Sequence, residues 1–339
     1  MIEVDGSIGE AGGQILRTAC ALSVITKNPC RIFNIRKSRP KTGLATQHLL
    51  GIQALAQLSN GRLEGDFLGS EEITFYPQEI EDKDLDIKIK TAGSITLLLQ
   101  SLIPPALFAS KPIKINIDGG ATDTFFSPTF DYFRYCFLKI LEKAGIKIEV
   151  NILERGYYPE GGAKIEAIIY PSKLNILNLS ERGEFKKLSV ISGASEHLKA
   201  KKVTERQIAG VKEALGELKL PIEEKTEYYK TKCQGSQICL IAEFENTVIG
   251  TDNLGKLGKR AEDVGKEAAL ELLKEQKSSA CLDKHLADQI LPYLALTKSK
   301  SSATVSEITN HCRTNIGIIE KFLSGNFKTK DNSISWIPE

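Results

Sequence analysis

Two histidines near the end of the chain stand in stretches able to do chemistry. His311 lies in the polar run Asn310-His311-Cys312-Arg313-Thr314-Asn315-Ile316, which opens onto a helical pattern over 315–323, and His285 opens His285-Leu286-Ala287-Asp288-Gln289. A neutral imidazole with a pKa near its ordinary value of about 6.5 can serve as nucleophile, base or ligand. Beside an apolar helix it can equally be a capped or packed side chain. Near the start, Asp5-Gly6-Ser7-Ile8-Gly9-Glu10-Ala11-Gly12-Gly13-Gln14-Ile15-Leu16-Arg17 reads as strand, glycine loop and helix. Such a loop lets backbone N–H groups approach an anion at a helix N-terminus. It is neither a Walker loop nor a Gly-x-Gly-x-x-Gly dinucleotide loop. Glu10 among those amides makes sense if a divalent cation lies between it and phosphate, or else it is a solvated turn residue. A third stretch, Arg36-Lys37-Ser38-Arg39-Pro40-Lys41-Thr42-Gly43, gathers cations at the end of a strand and the start of a helix. It is a local phosphate-binding cluster, where a charge run on a helix surface would be a solvated face.

The elements that must position these groups recur along the chain, and this repetition organises it. A helix after residue 12 stops at Lys27-Asn28-Pro29, a strand follows over 30–35, and a second helix spans 44–58. Residues 92–108, a strand over 111–117, the glycine loop Gly119-Gly120-Ala121-Thr122-Asp123 and a helix over 128–144 repeat that pattern. Strands over 147–153 and 163–170 close this unit, with Arg155-Gly156-Tyr157-Tyr158-Pro159-Glu160-Gly161-Gly162 between them. A third copy starts near 174–179 and resumes with a helix over 284–296, a strand over 303–308, a helix over 315–323 and a strand over 333–338. The fold class is therefore α+β, with three pseudo-symmetric βαβαββ-type repeats and a smaller inserted α+β domain. The domain division places 1–180 and 278–339 in the repeat domain and 181–277 in the insert. Within the insert the patterns give strands over 187–192 and 225–229, a helix over 202–215, a hairpin over 238–243 and 247–251, and a Lys/Glu-rich helix over 259–274. Its basic turn Leu254-Gly255-Lys256-Leu257-Gly258-Lys259-Arg260 is a candidate RNA contact.

Composition bounds the function. With 41% hydrophobic and 26% charged residues in 339, the chain reads as a globular protein able to bury a large core. It has no apolar run of the roughly eighteen residues a membrane span needs, and its start lacks a signal-peptide pattern, so a cytoplasmic location is expected. A net charge of +2 excludes a global basic field, so any phosphate contact must be local. The seven cysteines show no metal spacing and read as unpaired thiols; Cys233 and Cys239, near the hairpin, are the pair placed for a disulfide.

On the stretches 5–17, 36–48, 92–100, 155–162, 285–289 and 311–323, in this order, the chain resembles the RNA 3'-terminal phosphate cyclase family. The resemblance implies that ATP adenylates an enzyme histidine, that AMP passes to an RNA 3'-phosphate, and that the neighbouring 2'-hydroxyl displaces it to leave a 2',3'-cyclic phosphate. His311 matches the family's adenylated histidine. Glu10 matches its metal-associated carboxylate, with Mg²⁺ or Mn²⁺ as the cation. Arg17, Arg39 and Gln47 match residues of the phosphate site, Gln100, Asp288 and Gln289 match further pocket residues, and His285 and Pro128 match positions flanking adenine. The implied partner is an RNA with a 3'-phosphate end, with no membrane; a homo-oligomer is left open. The chain departs from the family's pattern at Ala11, Ala163 and Thr129, and in one extra residue at 119–123. A non-catalytic ribosome-biogenesis paralogue, a non-catalytic RNA-end-binding protein and an enolpyruvyl transferase are the competing functions; His311 argues against the first.

Overall fold

Alternating apolar residues place Ile2–Asp5 and Cys30–Phe33 side by side as parallel strands, with Val4, Cys30 and Ile32 turned into the core. A parallel pair needs a crossover, which the helix Gly13–Thr26 supplies. The computed structural model describes residues 1–9, 12–216 and 221–339. The first sheet is completed by Ile73–Tyr76, antiparallel to Cys30–Phe33, with Arg62–Glu64 on its outer edge.

The same plan recurs twice. Leu85–Ser94, Ile113–Ala121, Lys164–Ile169 and Ile148–Glu154 form the second sheet in that spatial order. Asn178–Leu179, Ser301–Thr304, Ser333–Pro338 and Gly325–Lys330 form the third. In all three, the first two strands run parallel and the last two are added antiparallel. The expected repeat is present as topology as well as sequence.

The helices meet inside. Gly13–Thr26 packs on Thr46–Leu58 of its own unit, on Ile95–Ala106 of the second and on Asn310–Phe322 of the third. Leu16, Ala19, Leu22, Leu99, Leu102, Ile290 and Leu294 are buried there in one continuous cluster. Each buried Leu or Ile among them contributes about 1.5–3 kcal/mol by leaving water.

The strand Phe185–Ser195 pairs with Ile222–Tyr229 and Ser236–Phe244, and Val248–Leu254 extends that sheet. The helices Val203–Leu215 and Ala261–Lys277 cover one face over Leu188, Val190, Ile208, Val211, Leu240 and Leu272. From the other face Ile191, Cys239 and Ile241 join the main core.

Several expected boundaries shift for local reasons. The loop expected at Gly119–Asp123 begins as strand, which runs on through Ala121. Gly119, at φ +95°, lies where a Cβ would come within 2.0 Å of the Ile89 carbonyl oxygen, so it serves close strand approach and not an anion cradle. The last helix starts at Asn310, five residues before the expected start at 315, because the Thr309 side chain accepts the Cys312 amide and caps it. The strand expected over 303–308 is Ser301–Thr304, and Gly325–Lys330 is an edge strand the sequence pattern did not single out. All seven cysteines are free, including Cys233 and Cys239.

Candidate active site

Early capping moves His311 from a turn into the first helical turn of Asn310–Phe322, facing the neighbouring helix Lys284–Leu296. There Nδ1 of His311 lies 3.6 Å from Oδ2 of Asp288, with the imidazole 38% and the carboxylate 16% exposed. Oδ2 also accepts a hydrogen bond of 2.6 Å from Nε2 of Gln14, on the first helix. Asn315 donates to the Asp288 carbonyl at 2.9 Å and accepts from the Thr18 hydroxyl at 2.7 Å. The three helices are thus tied by a polar ring, and Asp288 is fixed from two sides. A carboxylate beside Nδ1 favours the tautomer with its proton there, which leaves Nε2 with the lone pair.

Arg17 emerges one turn after Gln14 on the same helix. Loss of water pulls its guanidinium down to about 10, against the opposing pull of Asp288, so it stays charged at neutral pH. Arg17, Gln14, Gln100, Asp288 and Gln289 line a cavity open to solvent, with Thr18 and Asn315 on its wall. Across it Gln100 donates to Gln289 at 2.8 Å. On the other side of Arg17 a second, smaller cavity is lined by Gln47, His48 and Gly51.

The glycine loop and the basic loop converge on this helix. Neither Gly12 nor Ala45, which precede the helices Gly13–Thr26 and Thr46–Leu58, has a capping oxygen on its side chain. The other helices of the site are capped by Ser94, Asp283 and Thr309. Arg39 reaches the glycine loop: a Cβ on Gly12 would lie 3.6 Å from its Nη2. Arg36 instead turns inward, donating to the Gly43 carbonyl at 3.1 Å. Cationic and amide donors therefore gather at one helix start, an arrangement suited to phosphate.

The family profile for RNA 3'-terminal phosphate cyclase matches residues 8–329. The chain is 47% identical to the RNA 3'-terminal phosphate cyclase of Pyrococcus abyssi over 324 residues, covering 95% of this chain and 93% of that one. It is 43% identical to that of Sulfurisphaera tokodaii over 334 residues, 97% and 96% of the two chains. With that of Pyrococcus furiosus it shares 45% identity over 332 residues, 97% and 95% of the two. The chain belongs to the RNA 3'-terminal phosphate cyclase family.

Against this cyclase family's pattern, the structure brings together Asp288, Arg17, Gln100 and Gln289 around one cavity, with His311 beside it against Asp288, Gln47 across Arg17 and Arg39 at the glycine loop. Glu10 lies outside the described residues. His285 and Pro128 line neither cavity. They meet instead around Asp252, whose carboxylate accepts the Thr129 amide at 2.6 Å next to Pro128. Burial raises the Asp252 pKa, and the charge of His285 acts in the opposite sense. Asp283 sets the direction of the His285 helix by accepting from the amides of His285 and Leu286, from Tyr132 and from Gly250.

Four neighbours of the site went unselected in the sequence. Gln14, Thr18 and Asn315 read as ordinary polar positions, and only the spacing of four between Gln14 and Thr18 on one helix, and between His311 and Asn315 on another, hints at shared faces. His48 closes the second helix by accepting the Ala45 amide on Nδ1 at 3.3 Å, so its proton sits on Nε2. A Cβ on Gly13 would lie 2.2 Å from that Nε2, so the glycine makes room for the ring. Burial, with Arg17 and Arg36 nearby, holds the imidazole pKa down to about 3. His48 is therefore a neutral donor at physiological pH.

Among the described residues no group of three or more His, Cys, Asp or Glu could hold a metal ion. No described helix is long and apolar enough to cross a membrane.

Proposed function

We propose that this protein uses ATP to convert an RNA 3'-terminal phosphate into a 2',3'-cyclic phosphate, through a histidyl-AMP on His311 and then an RNA-adenylate. Nε2 of His311 attacks the α-phosphorus of ATP; the P–N bond forms as the P–O bond to pyrophosphate breaks. The imidazolium so produced carries its positive charge beside Asp288. Arg17 and Arg39 offset charge on the phosphates and the departing pyrophosphate. An oxygen of the RNA 3'-phosphate then attacks the AMP phosphorus and breaks the P–N bond, returning a neutral imidazole. In the last step the 2'-hydroxyl attacks the activated 3'-phosphorus, loses its proton to the surroundings and expels AMP. That hydroxyl is already adjacent, so proximity lowers the barrier.

The observation that carries this reading is the 3.6 Å pairing of His311 Nδ1 with Asp288, on the cavity that Arg17 also lines. Mg²⁺ or Mn²⁺ is assigned to arrive with the ATP phosphates, a mode in which the protein supplies one or two carboxylates and no closed cage. Glu10 is the residue assigned to it. Seven free thiols suit a cytoplasmic setting. Residues 181–277 are taken as the inserted domain and 1–180 with 278–339 as the catalytic one.

The test is labelled ATP with Mg²⁺, followed by isolation of an acid-labile, alkali-stable protein–AMP adduct. Wild type is expected to form it and His311→Ala to lose it. Undiminished labelling of His311→Ala, or a wild type that binds RNA ends without forming an adduct, would sink the mechanism; the latter would favour a non-catalytic role.

A further inference from the structure

The loop between Asp123 and Pro128 carries Phe125 and Phe126, both exposed, and Phe126 lies wholly in solvent at φ +64°. That residue is unfavourable twice over, as an uncovered large aromatic and as a bulky side chain in the left-handed region. Tyr158, also exposed, meets Phe125 edge to face with ring centroids 5.8 Å apart. The two loops are joined: the amides of Thr122 and Asp123 both donate to the Gly156 carbonyl, and Asp123 pairs with Tyr157 as an isolated bridge. The aromatics therefore stand on loops joined at their bases.

This platform adjoins the site. The Pro128 carbonyl accepts from Thr96 at 3.0 Å, and Gln100 lies one turn further along the same helix. On the insert side, the strand bearing Asp252 holds the Thr129 amide and then runs into the basic turn with exposed Lys256 and the fully exposed Leu257. Lys232, another exposed cation of the insert, lays its side chain over Gly162, where a Cβ would come within 2.4 Å of its Cδ. Exposed π faces flanked by lysines, next to a pocket of a family that acts on RNA ends, match one ligand chemistry. Unpaired bases stack on aromatic rings in any sequence while cations follow the backbone.

We infer that Phe126, backed by the Phe125–Tyr158 pair, stacks the unpaired bases that precede the terminal phosphate of the RNA, with Lys232 and Lys256 flanking the strand. The inference rests on the RNA-end activity proposed above and adds what that reading lacks, a reason for the enzyme to select single-stranded ends. A duplex end keeps its bases stacked on each other and offers no face to Phe126.

The test is the affinity of the full-length protein, without ATP, for a labelled single-stranded RNA of about ten nucleotides ending in a 3'-phosphate, measured by anisotropy. Phe126→Ala is expected to weaken binding by about 5- to 150-fold, Phe126→Trp to restore it, and Phe126→Leu to leave it weak. A blunt hairpin with the same end is expected to be insensitive to all three. Affinity of Phe126→Ala within twofold of wild type, full affinity of Phe126→Leu, or equal losses on the hairpin would overturn the proposal. So would a change in sedimenting mass of the free protein on Phe126→Ala, which would assign the patch to a second copy of the chain. Because ATP is absent, a wild type that forms no histidyl-AMP defeats the mechanism above while leaving this result readable.

Discussion

Arg17 and Arg155 both sit in glycine-bearing stretches of the sequence, and the structure gives them opposite surroundings. Arg155 is 6% exposed, 3.1 Å from Asp123 and 2.5 Å from Asp131, and its guanidinium lies 4.7 Å from the Tyr229 ring centre. Asp131 in turn accepts from Gln237, whose carbonyl accepts from Tyr157. Every charge is answered, and the carboxylates hold Arg155 well above its usual range despite burial. Arg17 is half-buried on an open cavity and drawn downward to about 10. Among the described residues no carboxylate closes on it within ion-pair distance, and Asp288 is engaged by Gln14 and His311. A saturated charge cluster ties the insert to the second unit; an unsaturated one leaves attraction for an incoming anion.

Substitution separates the two most sharply. Arg155→Ala would leave two buried carboxylates uncompensated, so a loss of about 3–5 kcal/mol in unfolding free energy is expected by denaturant titration. Arg17→Ala is expected to slow adduct formation by about 10²- to 10³-fold while its unfolding midpoint stays close to wild type. Matching stability losses in the two variants would erase the distinction.

A smaller effect concerns His48, held neutral beside Arg17. Its folded pKa, about 3, lies below the ordinary 6.5, so as pH falls the unfolded chain takes up the proton first. Stability from this group is whole above about pH 6.5 and is lost toward pH 3, at up to about 1.4 kcal/mol per pH unit. Urea titrations between these limits are expected to give a shallower slope for His48→Asn; parallel slopes would show that the open cluster does not exclude the charged imidazole.

The smallest expected change is at Glu10. If it meets a cation carried by ATP, Glu10→Ala should move the Mg²⁺ dependence of adduct formation by about tenfold, or about 1.4 kcal/mol. An equal loss at every Mg²⁺ concentration would instead make it a turn residue, and Arg17 the main electrostatic contributor.

Much of this was legible in the chain. Apolar spacing, Pro and Gly stops and the glycine and basic loops marked the repeats, because local periodicity follows directly from which side chains must leave water. The family stretches named His311, Arg17 and Asp288. The last helix was misplaced where polar residues carry its first turn: Thr309 caps it by accepting the Cys312 amide and Thr314 bonds back to the Asn310 carbonyl, so the polar run 310–314 looked like a turn. Gly119 and Gly120 likewise look like a loop from composition, although strand crowding is what requires them.

The sequence by itself determined the fold class, the order of the units and the identity of the candidate nucleophile. Only tertiary structure decided which partner each charge acquires. Asp288 meets Gln14, 274 positions away, and Arg155 is closed off by Asp123 and Asp131 while Arg17 is not. Long-range contacts of this kind depend on how elements distant in sequence are packed against one another, and spacing along the chain carries no record of that distance.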